Sequence, residues 1–267
     1  MRLSIIVITW NELAKARRCL TSLVNRIDQA RDEVVLVDNG SVDGTQEMVC
    51  SEFPDVKYLG LNKNIGVGPA RNRGIGMASG EYLMTLDNDT LLHTNDPGDL
   101  IQNILQAHPE VGLVGFRLIN PDGSRQSSAR RFPKIYQPLA ARLQWARRIR
   151  PFREEMASHL MQDTDFDNTV PSDLIDVDYV LGANQVFTKE LAVKMGGYDE
   201  KIFFGPEDAE FCLRIKKLGK KVVYSNEMVI THEYQRRTRK LGRLALKHLQ
   251  GFFYTFVKHR CFYRLVP

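Results

Sequence analysis

Residues 81–92 read EYLMTLDNDTLL, and what the chain does at residue 87 decides how the fold is read. Five of the six residues from 81 to 86 are apolar, aromatic or Thr, which suits a buried strand. Asp87 and Asp89 then flank Asn88. One reading of this strand end is an Asx-type turn that caps the next segment. The other is a hard-cation site, because clustered carboxylates repel one another unless a metal offsets their charge.

Outward from this stretch the chain alternates strand and helix patterns. Residues 3–9 are an apolar run of strand length, and Leu13, Ala16, Leu20 and Leu23 form a helical stripe with Asn11 as its expected N-cap. VVLV at 34–37 is a second strand, ending in Asp38. A helix over 45–52, a strand over 56–60 and a glycine-opened helix within 66–80 lead to the strand that ends at Asp87. A helix near 98–107 and a strand near 111–116 follow. Such alternation predicts a parallel sheet with helices on both faces, and ligands bind beyond the carboxyl ends of its strands. Asp38 and the Asp87/Asp89 pair lie at such ends.

Residues 117–175 break the rhythm and read as an insertion, with a basic helix expected over 138–150. DVDYVLGANQVFTKE restores a strand and turn. A short helix follows, with Thr188 as its N-cap and Gly196 as its stop. GPEDAEFCLRIKKLG is the clearest helix: Pro206 and acids open it, Lys216 and Lys217 close it, and Gly219 ends it. KVVYS at 221–225 is the final expected strand.

The 267 residues suit one domain with appendages. No apolar run approaches the ~18 residues of a membrane span. Cys19, Cys50, Cys212 and Cys261 show no metal-site spacing, which fits a reducing compartment and a cytoplasmic protein. The net charge of +5 is unevenly spread. Residues 125–153 and 236–264 each hold nine Lys or Arg and no acid, leaving 19 Lys and Arg against 32 Asp and Glu elsewhere. An acidic body with two basic segments points to an enzyme on an anionic membrane surface and away from nucleic acid.

Asp208 lies in the first turn of its helix, four and seven residues before Cys212 and Ile215. It therefore shares their inward face and is a candidate general base. Glu210 and Arg214, four apart, are expected to pair on the solvent side. Glu207 fits either group. His232 follows the last strand, and imidazole beside carboxylates suits manganese-like ions.

The ordered set IIVITWNE, VDNGSVDGT, NKNIGVGPARNRGI, LDNDT, GANQVFTKE and GGYDEKIFFGPEDAEFCLR, with a downstream His, resembles the family 2 inverting glycosyltransferases of the GT-A fold, in their rhamnosyltransferase-like branch. It covers roughly 3–116 and 176–234. The resemblance implies an α/β fold with a Rossmann-like, mostly parallel sheet. It implies a catalytic domain over 1–235, with 117–175 as a variable insertion on the acceptor side, and a basic, aromatic helical tail over 236–267. It assigns Asp208 as base. Asp38, Thr9, Asn11, Arg71, Asn72, Asp87 and Asn88 go to the donor, and Asp87, Asp89 and His232 to a divalent cation, Mn or Mg. Glu207, Tyr198, Phe204 and Gly182 fall on the acceptor side. The implied reaction moves a sugar from a dTDP- or UDP-linked donor, such as dTDP-rhamnose, to a saccharide acceptor on a lipid.

Two rivals fit less well. A D-x-D phosphatase places its motif in the first strand and needs a later acidic pattern that is missing here. A non-catalytic sugar-binding module need not keep Asp208. The tail offers Leu241, Leu244, Leu249, Phe252, Phe253 and Phe256 on one helical side between basic residues. This pattern serves either a helix packed on the domain or one lying in the plane of an anionic membrane, at the inner face of the cytoplasmic membrane.

Overall fold

The computed structural model describes residues 2–134, 136–137, 148–167, 170, 172–233 and 242–260. The first strand, β1 (Leu3–Thr9), is buried along its whole length. Leu3, Ile5 and Val7 join one apolar core and Ile6 and Ile8 the other, as the period of two requires. The first core is closed by α1 (Leu13–Val24), α2 (Thr45–Glu52) and α4 (Pro97–Ala107). The second is closed by α3 (Val67–Met77), α6 (Lys189–Met195) and α7 (Glu207–Lys217). A further helix, α5 (Arg150–His159), lies in the insertion.

Between these layers runs a nine-stranded sheet. Its other strands are β2 (Asp32–Asp38), β3 (Lys57–Gly60), β4 (Tyr82–Asp87), β5 (Thr90–Leu92), β6 (Val111–Ile119), β8 (Ile175–Asp176), β10 (Asn184–Thr188) and β11 (Lys221–His232). The order is β3-β2-β1-β4-β10-β6-β11-β5, with β8 beside β11, and β7 (Ala129–Arg130) pairs separately with β9 (Tyr179–Val180). The expected parallel pairing holds for β3-β2-β1-β4 and for β6-β11. β10 is inserted antiparallel between β4 and β6.

Several local expectations are met. Of the expected stripe of α1, Ala16, Leu20 and Leu23 are buried, joined by Cys19, and Leu13 packs partly buried against the same core. Thr188 caps α6 by accepting from the Leu191 amide, and Gly196 ends it in the left-handed conformation. Asn11 is not the cap of α1. It is itself left-handed, at φ 52°, and its Oδ1 accepts from the Val42 amide at 2.8 Å. Asp43, from the next loop, accepts from the Leu13 amide instead, at 2.9 Å. β11 runs past 225 to His232, with a register shift between Ser225 and Val229 that breaks its alternation.

Most of the basic helix expected over 138–150 lies outside the described residues. Among those described, Cys19, Cys50 and Cys212 are free thiols, and no helix is long and apolar enough to cross a membrane. The described part of the tail is α8 (Arg243–His259). It packs Phe252 against Leu213 of α7, while Tyr254 and Lys258 bond Asp199. Glu210 therefore corrects an expectation. It does pair with Arg214, but it is fully buried, because Lys258 and His259 of α8 cover it.

Candidate active site

A cavity of about 940 Å³ opens beyond the carboxyl ends of β1 and β4. Thr9, Arg71, Asp87, Asn88, Asp89, Gly182, Phe204, Glu207, Asp208 and His232 line it. The strand-end question is answered by side-chain direction. Asn88 turns inward and donates to Thr9 Oγ1 at 2.9 Å, which leaves Asp87 and Asp89 directed into the cavity.

His232 reaches this point through the sheet. The end of β11 pairs antiparallel with β5 so that His232 stands opposite Thr90, and the Glu233 amide donates to the Asp89 carbonyl at 2.9 Å. Asp87, Asp89 and His232 each offer a ligand atom, all within 4.8 Å of one another. His232 Nε2 lies 3.3 Å from Asp89 Oδ1. Two carboxylates and one imidazole form a donor set that fits a Mn- or Mg-like cation.

Arg71 is nearly inaccessible, at 1% exposure, and ties the two halves of the site together. Nη2 donates to Asp87 Oδ1 at 2.9 Å and to the Gly182 carbonyl at 2.7 Å, and Nη1 reaches Glu207 Oε1 at 3.3 Å. Burial opposes its charge, but Asp87, Tyr198 and Glu207 outweigh this and raise its pKa further. Position 182 accommodates no side chain, since a Cβ there would stand 2.4 Å from Arg71 Nη1.

Asp208 opens α7 beside this arginine. Its Oδ1 accepts from the Ala209 amide at 2.7 Å and its Oδ2 from the Gly182 amide at 3.2 Å. Asp208 is partly accessible from the cavity, whereas Glu207 is buried. Burial, followed by the Asp208 charge, pushes the Glu207 carboxyl up to about 7, against the pull of Arg71. One accessible carboxyl group thus stands next to a buried one whose protonated form is favoured by its burial.

Four expected site residues lie outside the main cavity. Asp38 lines a smaller pocket with Ser41, Gln46 and Tyr58. It accepts from the Ser41 amide at 2.8 Å and from the Tyr58 hydroxyl at 2.9 Å, so the turn geometry and a polar pocket coexist there. Asn11 is exposed and bonded to the loop at 41–42. Asn72 does not face the cavity: its amide clamps the Tyr198 backbone, donating at 2.9 Å and accepting at 2.8 Å. Tyr198 is buried beneath Arg71, 5.4 Å from ring centre to guanidinium, and donates to Gln185 at 2.7 Å. Periodicity could not separate these supporting residues from cavity residues, because both kinds sit in the same short motifs.

The sequence reading missed other cavity residues. Trp10 stands half-exposed at the rim, and Lys247, His248 and Phe252 come from α8. Arg130, His159 and Tyr179 come from the insertion and β9. The His159 imidazole is held neutral, its pKa lowered to about 4 by burial and then by Arg130. An aromatic followed by Asn directly after the first strand was the one legible signal, at Trp10.

Residues 4–168 match the family model described as Glycosyl transferase family 2. The chain is a family 2 glycosyltransferase. A Mycobacterium tuberculosis protein named N-acetylglucosaminyl-diphospho-decaprenol L-rhamnosyltransferase is 26% identical over 282 residues, spanning 98% of this chain and 86% of its own length. A Staphylococcus epidermidis poly-beta-1,6-N-acetyl-D-glucosamine synthase is 31% identical over 115 residues, 42% of this chain and 27% of the synthase. Among solved structures, the Pyrobaculum calidifontis mannosyltransferase PcManGT, in complex with GDP-Man and Mn2+, superposes with a TM-score of 0.61 at 20% identity. That alignment covers 96% of this chain and 64% of the mannosyltransferase. S. aureus TarS gives 0.61 at 18% identity over 88% of this chain and 37% of TarS. These likenesses establish the GT-A architecture, and family membership establishes a glycosyltransferase that uses a nucleotide-sugar donor.

Proposed function

We propose that this family 2 enzyme inverts configuration as it transfers a deoxyhexose such as rhamnose, from a dTDP- or UDP-linked donor, to a saccharide carried on a lipid diphosphate. The observation that carries the reading is a carboxylate–imidazole group and a partly accessible aspartate lining one cavity. The full-length similarity to a rhamnosyltransferase named for a lipid-diphosphate acceptor supports the choice of substrates.

In this reading Asp208 accepts the proton of the acceptor hydroxyl as its oxygen attacks the anomeric carbon. The donor diphosphate departs from the opposite face, which inverts that carbon. A divalent cation held by Asp87, Asp89 and His232 would supply the positive charge that the departing diphosphate needs. Arg71 holds Asp87 in place, and Gly182 lets that arginine pack against the strand turn. Asp38 would hold the donor's nucleotide base in the smaller pocket that it lines with Tyr58. The exposed stripe Leu246, Phe253 and Val257 of α8 faces an anionic cytoplasmic membrane surface in this reading, with Lys247 nearby.

Thermal unfolding with a panel of nucleotide sugars and Mn2+ tests the donor, since a bound donor raises Tm by mass action. A dTDP- or UDP-deoxyhexose should give the largest shift. A larger shift with a GDP-sugar would overturn the donor assignment.

A further inference from the structure

Gln126 lies in the segment that departs from the family motifs, yet it contacts the cation-site histidine. Beyond β6 the chain turns through Asn120–Ser124 and comes back, with the Gln126 amide donating to the Leu118 carbonyl at 2.9 Å. This places a largely buried Gln126 side chain beside the end of β11. Its Nε2 donates to the His232 carbonyl at 2.6 Å and to Asn120 Oδ1 at 2.8 Å. Both neighbours are acceptors, so they fix which end of the amide is nitrogen. The other end, Oε1, lies 3.0 Å from His232 Nδ1 and can only accept. Nδ1 must therefore carry the proton. A neutral ring then has its lone pair on Nε2, the nitrogen that faces Asp89.

We propose that Gln126 is a positioning residue for His232: its amide fixes the imidazole as the Nδ1–H tautomer and presents Nε2 as a ligand to a divalent cation shared with Asp87 and Asp89. The proposal rests on the reading of those three residues as a cation site. A metal-bound imidazole needs a partner on its other nitrogen to set tautomer and ring orientation. Here the Asn120 carboxamide orients the glutamine that orients the histidine.

The test counts free Mn2+ by electron paramagnetic resonance while Mn2+ alone is titrated into the full chain. Gln126→Met keeps the side-chain length and removes both polar ends. It should weaken Mn2+ binding by about 10–100-fold. Nitrogen-15 spectra at a pH where the imidazole is neutral should show His232 as Nδ1–H in the parent, but not in Gln126→Met. In a His232→Ala background, Gln126→Met should cost nothing further. Unchanged tautomer and affinity in Gln126→Met, or an equal loss in the His232→Ala background, would overturn the proposal alone. Parent-like Mn2+ binding by His232→Ala would overturn the cation-site reading, and the proposal with it.

Discussion

At the scale of single residues, Asp208 and Glu207 are adjacent carboxyls in unlike surroundings, and environment separates their roles. Asp208 faces the cavity and accepts two amide hydrogens, while Glu207 is buried against Arg71. Asp208→Asn should lower transfer by about 10²–10⁴ and leave donor affinity, measured without acceptor, nearly unchanged. Transfer within a factor of a few of the parent would remove Asp208 from the base role. Glu207 gives a different signature. Its carboxyl is raised from the usual 4.5 to about 7, so between these values the folded state keeps a proton that the unfolded chain has released. The associated stability is fully present below about 4.5 and is lost as pH rises to about 7. Glu33, Asp43 and Asp199, whose pKa values are lowered, act in the opposite sense at more acidic pH. Urea unfolding from pH 5 to 8 should show Glu207→Gln gaining on the parent as pH rises. Parallel curves would show that Glu207 is not the titrating group.

At the scale of elements, the site depends on close approach of helix to sheet. α3 delivers Arg71 to the cavity only because Gly74 lets the helix sit directly on β1. A Cβ at 74 would stand 2.3 Å from Ile6 Cγ2 and 3.1 Å from Val37 Cγ2. Gly74→Ala would ordinarily help a helix by up to about 1 kcal/mol. Here overpacking should outweigh that and cost about 1–3 kcal/mol, read from the urea midpoint at unchanged slope. A stabilised variant would mean that α3 can lift away from the sheet. The site depends also on a strand contact, the pairing of β11 with β5, which brings His232 to Asp89. Three-residue β5 has too little pattern to announce itself, and the register shift in β11 hides its continuation beyond 225.

At the scale of the molecule, α8 has two faces. Its inner face buries Ala245, Phe252 and Thr255 and covers Glu210 with Lys258 and His259. Its outer face exposes Leu246, Phe253 and Val257, at 58%, 61% and 69%. Removing everything after Tyr234 should destabilise the catalytic domain, because Glu210 would lose the Lys258 cation and its contact with His259, and Leu213 its cover. The membrane role is therefore better tested on the outer face. The parent should sediment with anionic liposomes at low salt, with partial release as salt rises. The double change Leu246→Glu and Phe253→Glu should abolish this at unchanged Tm. A parent that ignores anionic liposomes at low salt would refute membrane docking.

The sequence by itself determined the layered α/β architecture, the strand ends that carry Asp38, Asp87 and Asp89, and the helix that carries Asp208. Those features are local: alternation fixes a strand's faces, a 3.6-residue period fixes a helix's, and short motifs mark where each ends. It also supplied a metal-suited histidine without its place. Tertiary structure decided the rest. It put His232 beside Asp89 across a strand pairing that joins residues far apart in the chain. It turned Asn72 and Tyr198 into supports rather than cavity residues, and moved Asn11 out of its expected cap. It buried Glu210 under the tail and brought Gln126 back to the histidine. Each of these depends on which surfaces meet after the chain has collapsed, and no periodicity within a single segment encodes that.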